Sequence, residues 1–335
     1  MIPTPLHSVA ARFTLWASGL ALAAGSALAQ SWPTKPVTLV VPWPAGGPSD
    51  FVARQIQNDT AKTLGQTLGR TLIVENVGGV GGALGVQKVL ASSDGHTLLL
   101  GSPLELIIPP LTLASVKYKS NDLRMVAQLV RAPMVLLARK ELAADNVDEL
   151  IALAKRNPKP LAMAKTGPGS LFHLMGERFA QLLGTEFVQV PYRGSTPALG
   201  DLMGGQVDLM FTIFAGPVPA MIADGKVKVL GLAVDTPLAK FPKIAAQAAH
   251  PRLAEFKFDS WVGLQVPRNT PEEVAARLNK AAYEAMQNPQ VRQAFKAAGN
   301  LVVSATSPAD LDRIYQAEIV RYQTIARSIN LLPQQ

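Results

Sequence analysis

Residues 37–56 read VTLVVPWPAGGPSDFVARQI, and this stretch contains the pattern from which the fold can be predicted. Four of its first five residues are apolar and four are β-branched, which predicts a buried strand, Val37–Val41. A turn rich in glycine and proline follows, and apolar residues then recur on one face of a predicted helix, Ser49–Leu64. A strand, a turn and a helix in this order form one unit of an α/β sheet covered by helices.

The same alternation of apolar runs and helical patterns continues along the chain. Thr71–Glu75 and Thr97–Gly101 are predicted to be further strands of a first set. Met125–Val130 and Met134–Arg139 are predicted to be two strands that Pro133 interrupts. Strands that alternate with helices in this way predict a parallel sheet.

The 335-residue chain has room for about two domains of ordinary size. A second α/β set follows the first, and no long linker rich in serine, glycine or proline separates the two. We therefore predict two domains joined by strands that cross between them, with a ligand cleft at the junction. Domain 1 is predicted to comprise residues 30–132 plus 263–335, and domain 2 residues 133–262.

The composition argues against several classes of site. The sequence contains no cysteine, which excludes disulfides, thiolate metal sites and cysteine nucleophiles. Its four histidines, at positions 7, 96, 173 and 250, lack the spacing of metal ligands, so we predict no metal site. The formal net charge is +8, but the basic residues are spread along the chain without a basic run, which predicts no nucleic-acid partner.

Residues 1–29 have the pattern of a secretory signal peptide. Arg12 precedes an apolar run, and the segment ends in the small-residue sequence Ala27-Leu28-Ala29. The apolar run is shorter than the ~20 residues that a membrane-spanning helix needs. We predict cleavage after Ala29 and export of the mature chain; an N-terminal membrane anchor is the alternative.

The glycine-rich turn after the first strand, residues 41–50, is suited to bind an anion. The first main-chain N–H groups of the following helix are free to donate, and the helix dipole adds partial positive charge there. Ser49 would add a hydroxyl group, and Trp43 an apolar wall. The alternative is that Ser49 or Asp50 only caps the helix and that the turn binds nothing.

A second turn, Lys165–His173, repeats this arrangement in the second set, with Thr166 and Ser170 as neutral hydrogen-bonding residues. Ser170 and His173 also raise the question of a serine nucleophile and its base. The G-x-S-x-G elbow of such enzymes needs a glycine where this chain has Phe172. A secreted serine hydrolase is therefore a remote alternative.

A third turn, Glu75–Gly85 with its glycines from Gly78 onward, looks like a dinucleotide-binding loop. Leu84 stands where the G-x-G-x-x-G pattern needs its last glycine, and the sequence contains no P-loop pattern. We therefore predict that the protein uses no nucleotide and no other cofactor.

Six stretches of the chain resemble the periplasmic substrate-binding proteins of tripartite tricarboxylate transporters, the Bug family. They follow the family's order between residues 32 and 279, and the C-terminal helices resemble the family's tail. The chain departs from the family in having Trp43 where Phe or Tyr is common, and in the segment 244–256. The six stretches are WPTKPVTLVVPWPAGGPSDFVARQI, LGRTLIVENVGGVGGALG, ASSDGHTLLLGS, AKTGPGSLFHLMGERF, VQVPYRGSTPALGDLMGGQVDLMF and WVGLQVPRNTPEEVAARLN.

The resemblance implies an α/β, two-domain Venus-flytrap fold of the periplasmic-binding-protein type, with a cleft for one small carboxylate-bearing solute. It also implies that the protein is not an enzyme and binds its ligand through main-chain N–H groups, hydroxyls and bridging waters. The positions that match the family's ligand-binding motifs are Trp43, Ala45, Gly46, Gly47, Ser49, Asp50, Ser102, Thr166, Gly169, Ser170, His173, Arg193, Ser195, Asp208 and Phe211.

Four of these positions have structural alternatives. Asp50 and Asp208 are equally suited to hold loops without touching the ligand. Arg193 is suited to bind a carboxylate with two hydrogen bonds or to bridge loops. For His173, three residues into a predicted helix, a packed position without ligand contact is favoured.

The resemblance further implies a periplasmic, monomeric protein that captures a small organic acid for the membrane permease subunits of a tripartite tricarboxylate-type transporter. The same two-domain fold with its ligand cleft is equally consistent with signalling to a sensor ectodomain, because no motif marks the surface that contacts the partner. The sequence does not determine which carboxylate binds.

Overall fold

The structure is a computed structural model, and it describes residues 32–57, 64–92, 94–166, 170–233 and 246–331. The predicted signal peptide, residues 1–29, lies outside the described residues, and so does Gly169. The described residues from Lys35 onward form one compact unit. The division into domains at 132/133 and 262/263 stays a prediction. Within the described part of the chain, no helix has both the length and the apolar character to cross a membrane.

The described residues form one open, mixed sheet of ten strands in the order β2-β1-β3-β9-β4-β7-β5-β6, with β8 and β10 also paired to β4. The pairs of β1 with β2 and β3, and of β5 with β6 and β7, are parallel. The parallel pairs are those that the alternation of strands and helices predicts, and the central pairs are antiparallel, so the sheet is mixed. The strands are β1 (Val37–Val41), β2 (Leu72–Asn76), β3 (Thr97–Gly101), β4 (Leu123–Arg139), β5 (Leu161–Lys165), β6 (Phe187–Pro191), β7 (Leu209–Ile213), β8 (Val227–Leu232), β9 (Asp259–Pro267) and β10 (Leu301–Val302).

Twelve α-helices within the described residues connect and cover these strands. Most follow a strand directly, as the sequence pattern predicts for α/β units. The helices are α1 (Pro48–Gln57), α2 (Leu64–Leu68), α3 (Ala83–Leu90), α4 (Pro103–Leu106), α5 (Ile108–Thr112), α6 (Val147–Arg156), α7 (Leu171–Leu183), α8 (Ser195–Met203), α9 (Val218–Ala223), α10 (Glu272–Ala285), α11 (Pro289–Ala297) and α12 (Pro308–Ser328).

The 17-residue strand β4 belongs to both halves of the sheet. Its first part, as far as Pro133, pairs with β9, and its second part, from Met134, pairs with β7 and β8. The predicted interruption at Pro133 is therefore wrong. Proline lacks an N–H group, but Pro133 lies where β4 changes partners, and its carbonyl oxygen accepts the N–H of Phe214 at 2.8 Å.

A cluster of buried aromatic rings packs α7 and α12 against the second half of the sheet. Phe179 of α7 contacts Phe211 of β7, with ring centroids 5.3 Å apart, and Phe256 at 5.4 Å. Phe258 lies 4.8 Å from Phe256 and 6.3 Å from Tyr322 of α12. Phe256, from the segment that departs from the family pattern, is therefore a core residue.

Gly263 of β9 lies where the two central strands approach closely, and we expect Gly263→Ala to destabilise the fold. A Cβ atom there would lie 2.4 Å from the carbonyl oxygen of Ala127 in β4. Because both main chains belong to the central ladder, neither moves freely. We expect a loss of about 1–3 kcal/mol in the free energy of unfolding, measured by urea denaturation.

Gly200→Ala in α8 is the matched control for this prediction. No heavy atom outside its own helix lies within 4 Å of a Cβ built on Gly200. Alanine is favoured over glycine within a helix by about 0.5–1 kcal/mol, so this variant should be neutral or more stable. Equal destabilisation by both substitutions would contradict the steric explanation.

Candidate functional site

The predicted ligand-binding loops lie at two sets of strand ends that point toward each other. Gly101, at the carboxyl end of β3, pairs with Gly263 of β9, which in turn pairs with Gln128 of β4. Ile213, at the carboxyl end of β7, pairs with Met134, further along β4. The distance from Gln128 to Met134 is about 20 Å of strand. Strand β3 has the same direction as β4, and β7 has the opposite direction. The loops that follow β3 and β7 therefore both border the stretch of β4 between Gln128 and Met134.

The first loop, residues 42–47, is fixed by the carboxylate of Asp50. Its Oδ2 accepts the N–H of Gly46 at 2.9 Å, and its Oδ1 accepts Nδ2 of Asn76 at 3.0 Å. The same Asn76 amide donates to the carbonyl oxygen of Trp43 at 3.0 Å. Burial raises the pKa of Asp50, but these hydrogen bonds and the charge of Arg54 outweigh it and leave the pKa lowered. Asp50 is therefore ionised and engaged within the loop.

The tip of this loop presents main-chain atoms to solvent. Ala45 and Gly46 are exposed, and Gly47 and Ser49 are half-buried. Gly46 has a φ of +81°, a conformation that glycine adopts without the penalty of a side chain. Helix α1 begins at Pro48, and the N–H groups of Ser49 and Asp50 and the hydroxyl of Ser49 have no partner among the described residues. These groups remain available to bind an anion.

A buried carboxyl group, Glu105, connects the first loop to the end of β3. Its Oε2 accepts Nε1 of Trp43 at 2.9 Å and Oγ of Ser102 at 2.8 Å. Its Oε1 accepts the main-chain N–H of Ser102. Burial raises the pKa of Glu105 to about 7, although the hydrogen bonds from Ser102 and Trp43 lower it. Ser102, predicted to contact ligand, thus uses its hydroxyl in a buried capping box at the start of α4.

In the second set, Ser170 and His173 belong to the start of α7. Ser170 Oγ accepts the main-chain N–H of His173 at 3.2 Å, and Nε2 of His173 lies 3.5 Å from Oε1 of Glu177. Burial, and then the charge of Lys165, lowers the pKa of His173 to about 4, so its ring is neutral at pH 7. These are the contacts of a helix cap and of an i,i+4 pair, and they differ from those of an activated serine. Thr166 is half-buried beside them.

Arg193 and Ser195 follow β6 at the start of α8. Arg193 is exposed, and its guanidinium has no hydrogen bond or ion pair within the described part of the chain. Ser195 is the first residue of α8, and no side chain caps this helix. Tyr192 anchors the loop, because its N–H donates to the carbonyl oxygen of Lys165 at 2.7 Å. Arg193 is therefore a cation free to bind an anion at this edge of the sheet.

Two residues predicted to bind ligand lie apart from these loops. Asp208 precedes β7, at the end of the strand away from the loops. There its carboxylate accepts Nε of Arg139 and the N–H of Ala162, both at 2.8 Å. Phe211 is 1 % exposed, and its ring packs on Phe179 in the core. The structure therefore shows Asp208 holding β4 and β5 together, and Phe211 filling the core.

Sequence reasoning missed two residues that shape the first loop, Asn76 and Glu105. The spacing of Ser102 and Glu105 fits the capping pattern S-x-x-E, so their contact could have been predicted. The contact of Glu105 with Trp43 joins residues 62 positions apart, and no local pattern indicates it.

Two surface cavities lie away from these loops. One, of about 270 Å³, contains Arg124 paired with Glu272 at 2.6 Å and Arg268 paired with Asp312 at 3.1 Å. The other, of about 400 Å³, lies between α7, β6 and the end of α12. Neither cavity is lined by a residue predicted to bind ligand. Among the residues that the structure describes, no cluster of three or more acidic or histidine side chains could hold a metal ion.

The raised pKa of Glu105 predicts a specific pH dependence of stability. Between the usual glutamate pKa of 4.5 and the folded value of about 7, the folded protein binds more protons at this site than the unfolded chain. The contribution of Glu105 to stability therefore falls as the pH rises through this window. We expect the melting temperature of Glu105→Gln, relative to that of the wild type, to increase from pH 5 to pH 7 and then level off. A constant difference would contradict the pKa shift.

Comparisons with known proteins identify the family. The model of the tripartite tricarboxylate transporter family receptor matches residues 52–331. The structure of the periplasmic binding protein BugD is 29 % identical with a TM-score of 0.79, covering 90 % of this chain and 100 % of that chain. MatC from Rhodopseudomonas palustris with bound malate is 32 % identical with a TM-score of 0.78, covering 88 % and 99 %. An R. palustris protein with adipate is 28 % identical with a TM-score of 0.81, covering 90 % and 100 %.

These findings confirm the predicted family and the α/β periplasmic-binding-protein fold, with an open mixed sheet. They also confirm the prediction that the protein is not an enzyme, because the family model and the similar structures describe receptors and binding proteins. The chain belongs to the tripartite tricarboxylate transporter receptor family, a family of periplasmic solute-binding proteins.

Proposed function

We propose that this protein captures a small dicarboxylate between its two sets of strand-end loops and delivers it to the permease of a tripartite tricarboxylate-type transporter. The observation that supports the proposal is that each set of strand-end loops has groups that suit an anion and have no partner among the described residues. These are the free N–H groups of Ser49 and Asp50 in one set and the unpaired guanidinium of Arg193 in the other.

The chemistry of these groups suits a ligand with two carboxylates. A helix N-terminus binds one carboxylate through main-chain N–H groups and the helix dipole. An arginine binds a second carboxylate with two parallel hydrogen bonds. Similar proteins have been solved with malate and with adipate, and both of these ligands are dicarboxylates.

The two predicted domains, residues 30–132 plus 263–335 and residues 133–262, would close over the ligand about β4 and β9. Closure of this kind excludes water and creates a composite surface that a permease can distinguish from the open form. The pattern of residues 1–29 supports export to the periplasm. Delivery to a sensor ectodomain is the alternative for the same closed form; loss of acid uptake in cells that lack the receptor would favour the permease.

Thermal unfolding of ligand-stripped protein tests the capture of a carboxylate. We expect malate or adipate, or a relative such as succinate or citrate, to stabilise the protein. At 100 times the dissociation constant, a ligand adds about 2.7 kcal/mol. This corresponds to an increase in melting temperature on the order of 5 °C. Adipamide, which has the shape of adipate without its charges, is the matched control, and a flat response to every acid would overturn the proposal.

Removal of the Arg193 guanidinium tests the second half of the site. We expect Arg193→Ala to weaken binding of the acid about 10- to 100-fold in calorimetry, because a charge-assisted hydrogen bond contributes about 1.5–3 kcal/mol. Arg277→Ala removes the same charge from an exposed position on α10 and should leave the affinity unchanged. Equal effects of both variants would show that only the net charge matters.

A further inference from the structure

The carboxylate of Glu105 joins two positions that the resemblance assigns to ligand binding. Trp43 lies after β1 and Ser102 after β3, and both donate hydrogen bonds to Oε2 of Glu105, at 2.9 and 2.8 Å. Glu105 itself has no exposed surface, so it cannot contact a ligand in the cleft. It acts on the site only through the residues that it holds.

The third glycine-rich turn provides the space for this arrangement. A Cβ atom on Gly82 would lie 2.6 Å from Cβ of Glu105, and one on Gly85 would lie 2.9 Å from Cα of Pro42. Gly82 also has a φ of +89°, which a residue with a side chain rarely adopts. The turn therefore packs directly against Glu105 and against the residue that precedes Trp43.

We propose that Glu105 is a positioning residue of the ligand site: its buried carboxylate sets the orientation of the Trp43 indole and so the shape of the first loop. This inference rests on the proposed function, because the loop that it shapes is the proposed carboxylate-binding loop.

The physical reason is that Trp43 has a single polar group and one strong partner for it. The indole Nε1–H can only donate, and a hydrogen bond to a carboxylate is about twice as strong as one between neutral groups. The ring is half-buried. In Glu105→Gln a single amide oxygen remains for the indole N–H and for the N–H and hydroxyl of Ser102, so the indole N–H would no longer have an acceptor of its own and the ring would be free to turn toward solvent.

Few titratable groups surround Glu105. Among the described residues, the phenols of Tyr118 and Tyr315 act on it electrostatically, and the hydroxyl of Tyr118 donates to its main-chain oxygen. Burial raises the pKa of both phenols, so both stay neutral between pH 5 and pH 9. A titration observed at Trp43 in this range therefore reports on Glu105.

The first experiment observes the indole N–H of Trp43 by NMR, with Trp43→Phe assigning the signal. We expect the signal to move with pH in the wild type, with a midpoint near 7, and to be constant in Glu105→Gln. Glu149→Gln is the matched control, because Glu149 occupies the same capping position after Asn146 at the start of α6. It should behave as the wild type. A Trp43 signal at the same position in the wild type and in Glu105→Gln overturns the proposal; if Glu105→Gln does not fold, rapid exchange of the wild-type indole N–H with solvent overturns it, because a hydrogen bond to a buried carboxylate protects that proton.

The second experiment measures the dissociation constant of the acid found in the thermal screen, for the two single variants and the double variant. We expect Glu105→Gln to weaken binding about fivefold or more in the wild-type background. In the Trp43→Phe background the same substitution should change the constant less than about twofold, because the bond is already absent. Independent, multiplying effects, or no effect of Glu105→Gln on a protein that binds the acid, would overturn the proposal.

The two experiments separate this inference from the proposed function. If no acid binds the wild type, the proposed function fails, and the indole signal alone decides whether Glu105 positions Trp43. If the acid binds and the indole signal is the same in the wild type and in Glu105→Gln, the proposed function stands and the inference fails.

Discussion

The antiparallel ladder between β4 and β9 sets the position of every loop in the candidate site. It runs from the pair Leu123–Pro267 to the pair Pro133–Asp259 through the centre of the sheet. Because side chains alternate between faces, a shift of one residue would turn the buried ring of Trp261 to the other face. The end of β3 is tied to the same ladder, since Oε1 of Gln265 accepts the N–H of Gly101 at 2.8 Å. The register of β4 and β9 therefore fixes where the ends of β3 and β7 lie along β4.

Three carboxylates then hold the ends of the strands, and each accepts a main-chain N–H group. Asp50 binds Gly46, Glu105 binds Ser102, and Asp208 binds Ala162. Asp208 lies at the strand end away from the loops, whereas Asp50 and Glu105 border the first loop, where a free negative charge would repel an anionic ligand. In this protein the acidic oxygens are occupied by donors of the scaffold. The hydrogen-bond donors that remain unpaired at the strand ends can then bind the ligand.

Local patterns in the sequence predicted the strands and helices well, because an apolar run followed by a glycine-rich turn specifies strand and helix without reference to distant residues. They failed where a contact with a distant part of the chain determines the structure. Pro133 does not end a strand, because β4 changes neighbours at that residue. For Asp208 the resemblance left a ligand contact and a structural role open, and its structural partner Arg139 lies 69 residues away along the chain. Side-chain partners at such separations follow from the packing of the sheet, and no spacing rule contains them.

The glycine-rich turn at residues 78–85 shows what such a pattern does and does not specify. Its resemblance to a dinucleotide loop has a physical basis, because in both cases glycine lets a backbone approach another group more closely than a Cβ would permit. In a nucleotide-binding protein that group is a pyrophosphate. In this chain the groups are Glu105 and Pro42 of the protein itself. A run of glycines therefore predicts a close approach of the backbone to another group, and the structure shows which group that is.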